Sequence, residues 1–228
     1  MVGQAGTNKS ALATLNALDL WNPRYVFFVG IAGALGSTLN KGDVVVADII
    51  HGYEYGKIET TSFEPRSDWT HRTDIGLLNG AMAHTSSNWK DFIKNHPPEP
   101  CNPKVEHGEV ASGNKVVDDP NNQFFKEVLN TWPKIKAVEM EGTGVAETIE
   151  SAHALGQKVG FMMIRGISDK PRSPEPTAVE NARGTRERDE WKKYAADTAA
   201  AFTISFIRGG LPEQPATGSE LGDPLRTV

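Results

Sequence analysis

Glu139, Glu141 and Asp169 are the side chains that the sequence best places to do chemistry. The first two flank Met140 in Val138-Glu139-Met140-Glu141-Gly142, and the third closes Met163-Ile164-Arg165-Gly166-Ile167-Ser168-Asp169. Each segment is a short apolar run that stops abruptly in carboxylates and small residues. That is the pattern of a buried parallel strand delivering acids to the rim of a sheet. Strand alternation sends Glu139 and Glu141 to opposite faces, so one can meet a ligand while the other pairs internally or faces solvent. A carboxylate accepts two hydroxyl hydrogens at once, a specific way to hold the 2′,3′-diol of a ribose. An aspartic acid in a partly dry crevice can keep a proton and donate it. Read as plain structure, the same residues are a salt bridge at a strand end and a helix or loop cap. Arg165 is too basic for proton transfer and reads as a structural partner or an anion contact.

The elements around these acids alternate between strand and helix. A helix pattern from Thr143 to Leu155, stopped by Gly156, separates the two acidic strands, so both strand ends are expected to open on the same side. Earlier in the chain, Ser10 to Leu15 has helical spacing and Asn22-Pro23 ends it. Tyr25 to Val29 is a β-rich run leading into the glycine-rich turn Gly30-Ile31-Ala32-Gly33-Ala34-Leu35-Gly36, where backbone can approach a ligand closely. Val44 to Ile50 reads as a strand, and Asp74 to Ile93 as a helix with Leu77, Leu78, Ala81, Met82 and Trp89 on one side. Glu109 to Gly113 is a short strand continued by Val116-Val117, Asn121 to Leu129 a helix, and Asp189 to Ile207 a last helix with a broad apolar face. Alternation of this kind predicts an α/β fold with helices on both faces of the sheet, a domain over 1–208, and a disordered tail over 209–228.

At 228 residues and 38% hydrophobic, the chain can bury a core without staples. A net charge of −5 with scattered Lys and Arg gives no electrostatic footprint for nucleic acid. The single cysteine, Cys101, forms no internal disulfide, which fits a reducing, cytoplasmic setting. No apolar run approaches the roughly 20 residues needed to span a bilayer, so no membrane partner is expected. The six histidines are scattered without metal spacing, so neither a metal nor a cofactor is expected. No Gly-x-Ser-x-Gly elbow accompanies them, and Gly30-Ile31-Ala32-Gly33 lacks the spacing of a dinucleotide loop and the Lys-Ser/Thr of a P-loop.

Taken together, Val29-Gly30-Ile31-Ala32-Gly33, Gly42-Asp43-Val44-Val45, Ala111-Ser112-Gly113, Val138-Glu139-Met140-Glu141 and Arg165-Gly166-Ile167-Ser168-Asp169 resemble the nucleoside phosphorylase superfamily. Within it the chain looks most like the branch of 5′-methylthioadenosine/S-adenosylhomocysteine nucleosidases, with order and spacing agreeing from about Val2 to Ile207. The resemblance implies a three-layer α/β/α sandwich with a central mixed sheet, and cleavage of a purine nucleoside's N-glycosidic bond. It implies that Asp169 protonates the purine at N7, that Glu141 holds the ribose hydroxyls and that Met140 packs beneath the sugar. Backbone around Val116 and Val117 would meet the adenine edge, and Ile31, Ala32 and Gly33 would line the site near the nucleophile, with Ser168 beside Asp169. The partner implied is a small purine nucleoside or nucleotide, and relatives of this kind imply a homo-oligomer, with a dimer favoured.

Two departures from the family pattern shape these expectations. In the family a further strand and loop precede the segment matching Gly3-Gln4-Ala5-Gly6, and in nucleosidases that loop supplies the glutamate that activates water. The sequence starts after it, which fits a piece of a longer protein, a trimmed start, or a water base from elsewhere, and leaves a sheet edge open to association. Phosphorolytic relatives place an arginine in or near the Gly30–Gly33 turn, and none stands here, which favours water over phosphate. The alternatives are a phosphate-dependent phosphorylase and a non-catalytic nucleoside-sensing module. Lys57, Arg172, Arg183 and Arg186 are candidates to hold a phosphorylated adenosine, against a plain reading as solvated charge.

Overall fold

The computed structural model describes residues 6–60, 62–117, 122–170 and 178–212, with backbone only for 178–188. Its elements run α1 (Thr7–Trp21), β1 (Tyr25–Ala34), β2 (Val44–Gly52), β3 (Gly56–Ile58), β4 (Phe63–Pro65), β5 (Thr70–Arg72) and α2 (Ile75–His84). After a 3-10 turn at Trp89–Phe92 come β6 (Val105–Ser112), α3 (Gln123–Thr131), β7 (Ile135–Glu139), α4 (Gly142–Ala154), β8 (Gly160–Asp169) and α5 (Ala178–Gly209).

The main sheet is mixed, in the order β5-β2-β6-β7-β1-β8. Parallel pairs join β2 to β6, β6 to β7 and β1 to β8. Antiparallel contacts join β1 to β7 and β2 to β8, so the sheet curls until β8 meets β2. Every residue of β8 from Gly160 to Ser168 is buried, as a strand covered on both faces must be. One cover is α1 and α4, where Leu18, Val145, Ala146 and Ile149 pack on Ala32, Val45 and Met163. The other is α2 and α5, where Leu77, Ala81, Ala199, Phe202 and Phe206 pack on Val44, Val46, Met162 and Ile164. This is the α/β arrangement with helices on both faces that the alternation of elements predicts, and its mixed sheet is the one that the family resemblance implies.

Several local expectations are corrected. The glycine-rich stretch after Val29 is strand, because β1 continues to Ala34. Glycine serves there to admit neighbours: a Cβ on Gly30 would lie 1.9 Å from Arg165 Nη1. The helix expected over 74–93 stops at His84, and only the short turn at Trp89 follows. Thr85 and Ser86 turn their hydroxyls back onto the carbonyls of Met82 and Ala83, offering the backbone an alternative to helix. Val116-Val117 belongs to a loop rather than to a continuation of β6, which ends at Ser112. The acidic strands β7 and β8 are not neighbours, since β1 lies between them. Among the described residues, the second edge of β1 is paired only at Gly33 and Ala34, and its side chains from Tyr25 to Ile31 are half-buried. The last helix starts earlier than Asp189, and beyond it Leu211 still packs on the core and Pro212 accepts a hydrogen bond from Tyr25. The rest of the expected tail lies outside the described residues.

The closest layer contact is at Gly166, where a Cβ would lie 1.8 Å from the Ala195 carbonyl oxygen of α5. Gly166→Ala therefore has to lift the helix from the strand, and urea unfolding is expected to show a loss of about 3 kcal/mol. A change of less than about 0.5 kcal/mol, the scale of an ordinary surface substitution, would contradict this packing.

Candidate active site

The site is assembled where the C-terminal ends of β1, β7 and β8 converge. Gly33 is the hinge of that convergence, registered with Val138 of β7 on one side and with Asp169 of β8 on the other. A Cβ at position 33 would sit 3.3 Å from Asp169 Oδ2, so glycine leaves the carboxylate its place. Asp169 is half-buried and accepts a hydrogen bond of 2.6 Å from the Ser168 hydroxyl.

Beneath these tips lies a buried ion pair. Arg165, 3% exposed, donates from Nη2 to Glu139, whose side chain is 1% exposed. The guanidinium also stacks over Phe28, with Cζ 4.1 Å from the ring centroid. Glu139 has further work: its carboxylate accepts the N–H of Glu141 at 3.0 Å and that of Gly142 at 2.8 Å. It thus caps the otherwise orphaned amides at the start of α4. A Cβ on Gly142 would come within 2.8 Å of that carboxylate, which makes glycine the residue that fits there.

Glu141 stands on the rim above. Strand alternation does not apply to it, because β7 ends at Glu139 and Glu141 is already the N-cap position of α4. The two acids therefore do not point to opposite faces; both border one cavity. The Glu141 carbonyl accepts from the Ser10 hydroxyl at 2.7 Å, tying it to the first turn of α1. Burial, and then the nearby Glu139 charge, push the Glu141 carboxyl above its usual range. Arg165, with Nη2 3.8 Å from Glu141 Oε2, and the N–H groups of Gly6 and Met140 oppose that rise.

The cavity measures about 280 Å³, near the lower end of small-ligand pockets. β1 contributes Ile31, Ala32 and Gly33, the loop after β6 contributes Val116 and Val117, and the end of β8 contributes Ser168 and Asp169. Met140 and Glu141 complete it, so the residues expected to hold the base and the sugar all border the same space. Leu35, Val138, Glu139 and Lys115 also line it. Lys115 went unnoticed in the sequence because it is an isolated lysine in a loop; its place inside the Ser112–Val117 segment was the only available signal. Lys57 is on β3, exposed and paired with Glu59, and does not border the cavity. Arg172 and the side chains of Arg183 and Arg186 lie outside the described residues. Chemically this is a largely apolar slot bordered by the carboxylates of Glu139, Glu141 and Asp169. Among the described residues no helix is long and apolar enough to cross a membrane.

Comparison with known proteins places this site in context. The sequence model described as the phosphorylase superfamily matches residues 1–208. A 5′-methylthioadenosine/S-adenosylhomocysteine nucleosidase of Maridesulfovibrio salexigens is 29% identical over 185 residues, covering 78% of this chain and 70% of that protein. Over the leading curated relatives, the chain spans between 64% and 79% of their length. In structure, the corresponding nucleosidase of Neisseria meningitidis, in complex with methylthio-immucillin-A, aligns with a TM-score of 0.63 at 22% identity. That alignment covers 90% of this chain and 78% of the other. The futalosine hydrolase of Helicobacter pylori aligns with a TM-score of 0.64 at 21% identity, covering 90% and 77%. The structural likeness is one of fold.

Removing the guanidinium tests the electrostatics. In Arg165→Met, Glu139 and Glu141 face each other unshielded, and a loss of about 3 to 5 kcal/mol is expected for a buried pair deprived of one partner. Glu141 already binds its proton more tightly folded than unfolded, so its penalty is absent below the usual carboxylate value of 4.5 and complete above its raised folded value. Without Arg165 that raised value moves higher still. The variant should therefore recover part of its lost stability on acidification from about pH 8 to about pH 5, beyond any recovery by the parent. Urea unfolding at both pH values reads this, and an equal loss at the two would contradict it.

Proposed function

Because the chain belongs to the phosphorylase superfamily, matched over residues 1–208, we propose that it hydrolyses the N-glycosidic bond of an adenine nucleoside or nucleotide. The observation that carries this reading is that Asp169 and Glu141 border one cavity of about 280 Å³ with apolar walls. As the bond between the sugar C1′ and the base N9 breaks, its electron pair moves into the purine. A proton from Asp169 to N7 neutralises that charge and makes the base a better leaving group. Positive charge develops on the ribose at the same time, and the Glu141 carboxylate, accepting from the ribose hydroxyls, stabilises it. Met140 packs under the sugar, and the backbone of Val116 and Val117 meets the adenine edge. Water then adds at C1′ and releases a proton to solvent, solvent returns one to Asp169, and free ribose derivative and adenine leave. Water rather than phosphate is supported by the lack of any arginine between Val29 and Gly36.

The names of the curated relatives point to 5′-methylthioadenosine and S-adenosylhomocysteine as first substrates to try. The protein in this reading acts in the cytoplasm, supported by a single cysteine that leaves it without an internal disulfide. It acts as a homodimer: Leu12, Leu15, Leu20 and Trp21 of α1 are exposed, and a second copy would cover that apolar surface.

Incubation with methylthioadenosine, adenosylhomocysteine, adenosine, AMP and ATP should release adenine from at least one of them without added phosphate. Asp169→Asn should lower kcat by about a hundredfold or more while substrate still raises the melting temperature. No adenine from any substrate, or full turnover by Asp169→Asn, would contradict the proposal. Phosphate-dependent turnover yielding ribose 1-phosphate would select phosphorolysis instead.

A further inference from the structure

Tyr53 and Glu54 follow β2 and border no part of the cavity, yet both hold its wall. Tyr53 is fully buried against Phe125, and its hydroxyl donates to the Lys115 carbonyl at 3.1 Å. Glu54 uses one oxygen, Oε2, to accept both the backbone N–H of Asn114 at 2.6 Å and its side-chain amide at 2.8 Å. The other, Oε1, pairs with the Lys115 ammonium. A Cβ on Gly113 would lie 2.7 Å from the Tyr53 ring and 2.8 Å from Glu54 Cγ, so glycine lets the loop sit directly on this clamp.

The clamp reaches further than the wall. With its NH2 fixed toward Glu54, Asn114 turns Oδ1 the other way, where it accepts the N–H of Thr7 at 2.9 Å. Thr7 opens α1, and the N–H of the preceding Gly6 bonds the Glu141 carboxylate. Gly6 has φ of 123°, a conformation suited to glycine, and a Cβ there would be 3.2 Å from Asn114 Oδ1. Burial pushes the Glu54 carboxyl up, but the Asn114 and Lys115 donors outweigh it and hold it below its usual value. Glu54 is thus an anion fixed by three donors on two successive residues of the wall.

We propose that Glu54 is a positioning residue for the reaction, setting the Lys115–Val117 wall directly and Glu141 through Asn114 and the first turn of α1. The inference rests on the nucleosidase reading above. An ordinary exposed ion pair contributes little; this one sets where two separate parts of the cavity stand, and small displacements at such sites cost far more in rate and binding than in stability.

The test compares Glu54→Gln, Glu54→Ala, Asn114→Ala and the Glu54→Ala/Asn114→Ala double variant with the parent. Adenine binding is read by calorimetry, and KM and kcat with methylthioadenosine. Glu54→Gln turns an amide onto Lys115 and should weaken adenine binding and raise KM by about tenfold; Glu54→Ala should do so by up to about a hundredfold. Melting temperatures should change little. Because Glu54 acts through Asn114, the double variant should be no worse than Glu54→Ala alone. Unaltered adenine affinity and KM in Glu54→Gln would overturn the proposal even if Glu54→Ala failed to fold, and with Glu54→Ala folded, strict additivity in the double variant would overturn it as well. Variants that behave like an active parent sink the positioning role alone. A parent that binds no adenine and turns nothing over sinks the nucleosidase reading and, with it, this inference.

Discussion

The buried contact between Arg165 and Glu139 is the interaction on which the rest of the site depends. Two carboxylates so close together inside a protein repel, and a lone guanidinium there would be costly. The structure combines them with the amides of Glu141 and Gly142 and with the face of Phe28, so that each charge has partners. Room for this arrangement is made by glycine: Gly30 for the guanidinium, Gly142 for the Glu139 carboxylate. Strand β8, which carries Arg165, is thereby locked against β7 across the intervening β1, and Glu141 is held at the start of α4 facing the same space as Asp169.

Electrostatics and packing then divide the labour. The walls are largely apolar and come from three strand ends and one loop. The rim carries the charge, with Asp169 on one strand end and Glu141 on a helix start. Glu141 keeps contact with Arg165 and with the N–H of Gly6, both of which favour its ionised form against burial. In the proposed reaction Glu141 accepts two hydroxyls and faces a developing cation, for which the charged form that these contacts favour is the suited one.

Much of this was legible in the residues. Acids at the ends of apolar runs marked Asp169 and Glu141, Gly33 was marked by a glycine-rich turn and the family resemblance, and the helix stop expected at Gly156 agrees with its φ of 87°. What the sequence misjudged has physical causes. Alternation placed Glu139 and Glu141 on opposite faces, but alternation holds only while the strand lasts, and β7 ends one residue before Met140. The stretch from Gly30 to Gly36 looked like a turn because glycine is common in turns; here Gly30 leaves space for Arg165 and Gly33 for Asp169. The roles of Tyr53 and Glu54 rest on contacts with residues about sixty positions away, a separation that no local pattern reveals.

In the proposed reaction a purine lies against the Val116–Val117 loop with its sugar on Glu141 and its N7 toward residue 169. A crystal structure of the Asp169→Asn protein bound to intact 5′-methylthioadenosine addresses it most directly. The account predicts both ribose hydroxyls within hydrogen-bonding distance of the Glu141 carboxylate and N7 facing the residue 169 side chain. A nucleoside bound elsewhere, or bound here with Glu141 turned into solvent, would contradict it.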